Sequence, residues 1–399
     1  MTLESEFQAE VDGLSTACRL RTTTPYSGRE RTRPSTAQNR ELISFATNDY
    51  LGLSSAATVR AAACQSIEQS GAGSGASRLV TGETPYHREL EVALAAYLGV
   101  EDALLFPTGY QTNIGVLTAL AGPNDLIVSD AANHASIIDA CRLSRAHVAI
   151  YPHLDAKAAT AALAHPSSFR RRILVTESIF SMDGDRAPLT ELASAARAQG
   201  AGLVVDEAHA LGVTGPDGRG VAADCGVMPD VVVGTLGKAM GSHGGFAAGT
   251  ALLRRILINR ARSFIYSTAG PPSAAAAALA ALTIVRSPPG QELRERAAFL
   301  AAHARLGLRS AGIDAPGQDL ILPVIIGQEH DALRVSRDLL SRDLLVPAIR
   351  PPTVPAGTSR LRITISAAHT TQEVDRLVDG LASALRSTMN TRPADIAAP

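Results

Sequence analysis

The sequence predicts an α/β protein in which a mainly parallel sheet is covered by helices, and three observations carry that reading. Short apolar runs rich in β-branched residues recur at Ala103–Phe106, Asp125–Val128, Ile173–Val175, Leu203–Val205 and Val231–Val233. Each is too short for a helix and reads as a buried strand. Helical stretches separate them, one from about Gln111, one opening at His134 and one from Pro188 to Gly200. Such alternation builds parallel strands joined by helical crossovers. Third, polar residues gather just past the strand ends, where ligands of such sheets bind.

Taken in order, residues 1–45 read as an N-terminal arm. Ala61–Gln69 has the pattern of a polar-faced helix, and Pro188 suits the first position of the helix that follows it. Ala274–Val285 is mostly alanine and too short to span a bilayer, so it reads as a buried helix. The pattern changes at Ser287-Pro288-Pro289-Gly290. A charged helix follows (Leu293–Leu306), then strands near Leu320–Leu322 and Leu361–Ile365, then a closing helix from Ala367 to Arg386. The expected division is a large domain at 46–288 and a smaller α/β domain at 289–387. Residues 388–399 carry no apolar face and are expected to be disordered. There is no internal repeat.

Composition excludes several classes of function. The chain has 399 residues, enough for one large domain and a smaller one. With 37 basic and 38 acidic residues the net charge is −1, so no bulk field favours nucleic acid or an anionic membrane. Trp is absent and aromatics are 4%, which argues against a base-stacking surface. Cys18, Cys64, Cys141 and Cys225 are scattered without a Cys-x-x-Cys pair, which suits free thiols and no metal site. The acidic N-terminus is not a signal peptide. A soluble, cytoplasmic protein is expected.

The most informative residues lie between Gly202 and Gly245. One strand ends in Asp206-Glu207-Ala208-His209, and the next ends in Thr235-Leu236-Gly237-Lys238 within a glycine-rich loop. A carboxylate, an imidazole and a loop lysine at the ends of adjacent strands suit pyridoxal phosphate (PLP). That cofactor needs a lysine for its Schiff base and an acid to keep its ring nitrogen protonated. Asp-Glu-Ala-His is also a helicase box, but that reading requires a phosphate loop earlier in the chain. Here Lys238 precedes Ala239, Val232 stands where the first glycine belongs, and the order is reversed. A turn-capping Asp206 and a solvated Lys238 are the bland alternative for each residue alone; their joint placement argues against it. Gly71-Ala72-Gly73-Ser74-Gly75-Ala76 matches a dinucleotide fingerprint, which counts only after a strand. A helical pattern precedes it, so an NAD-dependent dehydrogenase is a poor second reading.

These residues carry a resemblance. From Asn48-Asp49-Tyr50-Leu51-Gly52 through Ser366-Ala367-Ala368-His369, nearly the whole chain resembles the α-oxoamine synthases, fold-type I PLP-dependent transferases. Ile349-Arg350-Pro351-Pro352-Thr353-Val354-Pro355-Ala356-Gly357-Thr358 is similar to the biotin-pathway branch of that family. The resemblance implies decarboxylative condensation of L-alanine with a pimeloyl thioester, carried by CoA or an acyl carrier protein, to 8-amino-7-oxononanoate. It also implies a homodimer. Relatives that use glycine or serine, of the glycine C-acetyltransferase or 5-aminolevulinate synthase type, stand as the alternative.

The resemblance also assigns roles. Lys238 carries the cofactor and acts as base at the substrate α-carbon. Asp206 pairs with the pyridinium nitrogen, His209 and Ser181 lie near the ring's phenolic oxygen, and His134 stacks on its face. For His134 alone, a local helix cap is an equal reading. The phosphate sits on backbone N–H groups of Gly109 and Tyr110 at a helix start, joined by Thr235. Ser267 and Thr268 complete the partner subunit's site. Asn48 and Ser77 fall among the substrate-binding positions; Ser77 stands where glycine-specific relatives carry threonine, leaving room for alanine's methyl. Arg362 takes a substrate carboxylate, since strand alternation puts it on one face with Arg360 and Thr364. A solvated strand face is the alternative. Arg21 and Thr353 meet the acyl substrate. The run Gly109-Tyr110-Gln111-Thr112-Asn113 is less apolar than the usual form, and Ser77-Arg78-Leu79-Val80 varies in relatives; neither removes a catalytic group.

Overall fold

A computed structural model describes residues 2–166 and 168–390. Its larger sheet has seven strands: β1 (Asp102–Phe106), β2 (Leu126–Asp130), β3 (His147–Tyr151), β4 (Arg172–Glu177), β5 (Gly202–Asp206), β6 (Val231–Thr235) and β7 (Gly245–Gly249). Their spatial order is β1-β7-β6-β5-β4-β2-β3. The five strands from β6 to β3 run parallel, and β7 runs antiparallel to both neighbours. The sheet is therefore mainly parallel, as the alternation of strands and helices in the sequence predicts.

The predicted strands are five of the seven. β3 and β7 escape a periodicity reading for different reasons. His147-Val148-Ala149-Ile150-Tyr151 is an edge strand with an exposed first residue, and Gly245-Phe246-Ala247-Ala248-Gly249 has too little β-branched bulk to stand out. Packing explains the latter's composition. Phe246 and Ala247 are buried between sheet and helices, and Ala247 joins a core with Leu104, Phe106, Val204, Val233 and Leu257. Burying such side chains supplies about 1.5–3 kcal/mol each, enough to override weak strand propensity.

Two boundaries differ from expectation. Pro188 is the N-cap of helix Leu189–Ala198 and not its first turn. Pro288, Pro289 and Gly290 do not break the chain: they open the helix Pro288–Ser310, whose first turn needs no amide hydrogens. The expected boundary at 288/289 thus falls within a continuous helix.

Contacts divide the chain into two compact units. One comprises Asn48–Ser181 and Asp185–Glu295 and contains the seven-stranded sheet. The other takes in the residues up to Thr47, Met182–Gly184 and the chain from Arg296. In this second unit Ile321–Gly327, Ser359–Thr364 and Ala348–Ile349 form an antiparallel sheet with Ser359–Thr364 in the middle. Residues of the N-terminal arm belong to it: Ile43–Ser44 pairs with Leu344–Leu345. The buried His369 ring stacks on Phe45 at 4.4 Å, and its Nε2 lies 3.0 Å from the Ser44 carbonyl. Helix Leu3–Thr16, which the sequence pattern does not announce, has no buried residue. Residues 388–390 continue helix Thr371–Asn390; the remainder of the expected tail lies outside the described residues. No described helix is long and apolar enough to cross a membrane.

Candidate active site

At the carboxyl ends of β2, β4, β5 and β6 the first unit gathers most of the nominated residues. Lys238 Nζ lies 2.8 Å from His209 Nε2, and His209 Nδ1 lies 2.6 Å from the Tyr50 hydroxyl. A lysine, an imidazole and a phenol thus form one hydrogen-bonded line. His209 is buried and Tyr50 almost wholly so. Such groups need partners, and each supplies one for the next. Tyr50 was not nominated from sequence, although it stands in the Asn48–Gly52 motif. Its carbonyl neighbour Asn48, half-buried, accepts the Tyr50 N–H at 2.9 Å.

Asp206, buried at the end of β5, is held from two sides. Asn113 Nδ2 donates to its Oδ2 at 2.7 Å, and the Ala208 N–H donates to its Oδ1 at 2.9 Å. Asn113 also donates to Ser136 Oγ at 2.9 Å, and Ser136 Oγ lies 2.8 Å from His134 Nδ1. The carboxylate and the ring of His134 therefore belong to one network. Asn113 was quoted within a variable run and not assigned a role; a buried amide sandwiched between two polar chains can be recognised only in space. Fixed hydrogen bonds on both oxygens make Asp206 a preorganised charge.

His134 is at once the N-cap of helix Ala135–Ser144, its Nδ1 accepting the Ser136 N–H at 3.3 Å, and a member of that network. The ring of Tyr110 meets it edge-on at 6.4 Å. Desolvation by its surroundings, partly opposed by the Asp206 charge, holds the His134 pKa below the usual histidine value. It is therefore neutral at pH 7. Ser181, buried, follows β4 on the turn that returns to Arg186.

Helix Gly109–Leu120 starts beside this group, with Thr108 as N-cap. A Cβ on Gly109 would sit 3.4 Å from Thr235 Oγ1, and one on Gly245 would come within 2.6 Å of the Gly109 nitrogen. The helix start is thus approached closely by two strands and keeps its backbone N–H groups bare of side chain. Gln111 Nε2 donates to Ser267 Oγ at 3.1 Å, and the Gly237 N–H donates to Thr235 Oγ1 at 3.3 Å. A helix N-terminus with hydroxyls beside it has the charge and the donors to suit an anion. Tyr110 is partly exposed and donates its hydroxyl to Asp139. Ser77 and Thr268 pair through an antiparallel backbone bridge.

Arg362, Arg21 and Thr353 belong to the second unit. Strand Ser359–Thr364 is buried at every position, which removes the solvated-face reading of Arg362. Arg362 Nη1 donates to Thr364 Oγ1 at 2.9 Å. Arg360, on the same face, is committed to Asp183 and to Thr358. Arg21 Nη2 reaches the Pro351 carbonyl at 3.2 Å and Thr353 Oγ1 at 3.5 Å, so two residues nominated for the acyl substrate meet. The segment Gly71–Ala76 follows helix Ala57–Ser70 with no strand before it, so the dinucleotide fingerprint lacks its context. Among the described residues no group of three or more His, Cys, Asp or Glu could hold a metal ion.

A lysine joined to a histidine, a preorganised carboxylate and a bare helix start now stand together at one end of the sheet. Residues 40–381 match the family "aminotransferase class I and II". A protein of Anaeromyxobacter dehalogenans named 8-amino-7-oxononanoate synthase is 49% identical over 87% of each chain. A Geobacter sulfurreducens protein of the same name is 46% identical over 87% of this chain and 89% of its own. The chain belongs to the 8-amino-7-oxononanoate synthases of the class I and II aminotransferase family. Solved structures agree with the fold of these synthases. Serine palmitoyltransferase of Sphingomonas wittichii superposes with a TM-score of 0.90 at 31% identity, covering 98% of this chain and 100% of that one. An SPT solved with its PLP internal aldimine gives 0.91 at 30%, with the same coverage. The 8-amino-7-oxononanoate synthase of Francisella tularensis gives 0.75 at 26%, covering 87% of this chain and 99% of that one.

Proposed function

We propose that this chain joins L-alanine to a pimeloyl thioester, releasing CO2 and the thiol carrier, with PLP held by the residues at the carboxyl ends of β5 and β6. The observation that carries the residue assignments is the Lys238–His209–Tyr50 line standing beside a doubly fixed Asp206. The activity is 8-amino-7-oxononanoate synthesis, a step of biotin formation, and the cofactor is pyridoxal phosphate. When bound, PLP supplies an electron-withdrawing ring that stabilises negative charge at the α-carbon of the amino acid.

The chain's own residues do the rest. Lys238 would hold the cofactor covalently through its amine and, once released, move the proton at the substrate α-carbon. His209 and Tyr50 orient that amine and take part in its hydrogen bonding. Asp206 would hold the ring nitrogen in its protonated state, and Asn113 and Ala208 keep the carboxylate aimed. His134, neutral, offers a ring face without placing a second positive charge near the pyridinium. Gly109, Tyr110 and Thr235 would hold the phosphate at the helix start, with Ser267 and Thr268 assigned to the partner subunit's site. Ser181 is assigned to the ring's edge. Asn48 and Ser77 are assigned to the amino acid and Arg362 to a substrate carboxylate, because Arg360 is already paired with Asp183. Arg21 and Thr353, which touch, are assigned to the acyl chain.

The test is product formation, followed by mass, from a panel of amino acids with pimeloyl-CoA and with pimeloyl-acyl carrier protein. Alanine with a pimeloyl thioester is expected to give 8-amino-7-oxononanoate and one CO2 per turnover. A chain that turns over glycine and a short acyl-CoA instead belongs with the aminolevulinate or aminoketobutyrate formers.

A further inference from the structure

Between Asp206 and His209 stands Glu207, whose side chain is wholly buried and has no part in the roles above. A carboxyl group buried at a strand end is costly unless donors surround it. Here three do so. Its Oε1 accepts the Ala222 N–H at 2.8 Å, and its Oε2 accepts the Val221 N–H at 3.1 Å and the Ser178 hydroxyl. An ionised carboxylate only accepts, so three donors on two oxygens suit that form. Burial pushes the acid up to about 7 and the three donors work against a further rise, so the anion prevails above that pH.

These bonds reach a loop that backs the lysine. Val221 and Ala222 open the short helix Val221–Asp224, and the chain before them folds on itself from Gly212 onward. The Gly212 N–H donates to the Gly218 carbonyl at 2.7 Å, and the Gly220 N–H donates to the Thr214 carbonyl at 2.8 Å. Its own bonds therefore close the loop into one piece. Near its end, Gly220 passes so close to Glu207 that a Cβ there would sit 2.6 Å from the carboxyl carbon. At its start, a Cβ on Gly212 would sit 3.0 Å from the Ala239 Cβ, and Ala239 adjoins Lys238. Both residues have positive φ, +83° at Gly212 and +102° at Gly220, a backbone that glycine adopts freely.

We propose that Glu207 is a positioning residue for Lys238: its carboxylate seats the loop Gly212–Ala222, and the seated loop braces Ala239 so that the Lys238 amine meets His209. The proposal rests on the assignment of Lys238 to PLP. Glutamine keeps the reach but sets an NH2 group against one of the donors, and aspartate keeps both oxygens but is one methylene short. Each leaves a loop amide without its acceptor. Ser178 is the control, because its hydroxyl bonds the same carboxylate from the chain after β4 and not from the loop.

The experiment compares Glu207→Gln, Glu207→Asp and Ser178→Ala in the full chain, by amide hydrogen exchange without cofactor and by spectrum and turnover with PLP. In the two Glu207 variants, exchange at the Val221 and Ala222 amides is expected to quicken by about tenfold or more, as for a segment that opens locally. Their bound-PLP absorption band should shift. Their kcat should fall about ten- to hundredfold with KM for alanine changed much less, since a misplaced amine weighs on the reacting geometry. Ser178→Ala should keep wild-type exchange at both amides, the wild-type band and most of kcat. Folded Glu207 variants with a wild-type band and kcat overturn the proposal, because Glu207 would then serve the fold alone. Glu207→Asp, the milder change, decides this where Glu207→Gln fails to fold. Unquickened exchange also overturns it, since something else would then seat the loop. So does a Ser178→Ala protein as impaired as Glu207→Gln, which would route the effect through the turn after β4. A wild type without a PLP band overturns the PLP assignment and this proposal with it; a normal wild-type band with unshifted variant bands overturns this proposal alone.

Discussion

A lysine in a glycine-rich loop is an ordinary surface residue until something holds its amine, and here His209 does so at 2.8 Å. That contact makes Lys238 the residue to test first. Lys238→Ala is expected to abolish turnover while leaving a folded chain, and borohydride reduction with peptide mapping should place the label on Lys238 alone. A label on another lysine would end the assignment. Asp206 makes a sharper electrostatic case, because both its oxygens are fixed before any ligand arrives. Asp206→Asn keeps the shape and removes the charge. We expect kcat to fall by at least about a hundredfold, the scale for removing one preorganised electrostatic partner. Single-turnover kinetics with alanine would show it, and near-normal kcat would remove Asp206 from the ring nitrogen. The sequence exposed these two residues because strand ends are easy to locate. Tyr50 and Asn113 stayed hidden because their roles depend on partners 159 and 93 residues away.

Element by element, legibility followed hydrophobic contrast. β1, β2, β4, β5 and β6 are buried in parallel pairing or at a tight helix packing face and so read as continuous apolar runs. β7 could not be found that way, since its two glycines answer to the crowding of Thr112 and the start of helix Gly109–Leu120 at one end and of Asp230 and Leu253 at the other. Nor could the prolines at 288 and 289 be read correctly, because the same residues end one helix or begin another depending on where the amide vacancy falls. A connection between elements was equally invisible: His153, after β3, bonds Asp130 at the end of β2 (2.8 Å) and Asp185 after β4 (3.0 Å). Burial works against the charge on this imidazole, but the bonds to the two carboxylates outweigh it and raise its pKa to about 10. A group whose folded-state pKa is raised stabilises the fold fully below its unfolded pKa, near 6.5, and loses that contribution as pH climbs through the folded value. His153→Gln should therefore cost about 1–3 kcal/mol at pH 6, on the scale of hydrogen bonds to a charged group. The gap should close toward pH 10.5. Urea melts of both proteins across that range test it, and a gap that does not vary with pH would show that the link is not ionic.

For the whole molecule, the decisive question is whether one chain suffices. Arg78 is buried and bonded to Glu83 and Glu91, and Glu91 is bonded in turn by Arg254 and by the Leu105 N–H. That buried network anchors the loop after Ser77 from beneath and turns its next two side chains outward: Leu79 is 51% exposed and Val80 74%. The Ser77–Thr268 bridge sets this loop against the segment carrying Tyr266, itself 70% exposed, with Arg262 over its ring. A rigidly held apolar patch is costly in water unless another surface covers it. It adjoins Ser267 and Thr268, the residues assigned to a partner subunit's phosphate site, so a second copy of the chain is the expected cover. We expect the wild type to sediment as a dimer at micromolar concentration. Replacing Leu79 and Val80 together with aspartate should yield monomers that keep their helical circular dichroism but lose PLP on gel filtration and with it turnover. A wild type that is monomeric and fully active would remove the partner from the site. Variants that remain dimeric would place the contact elsewhere on the surface.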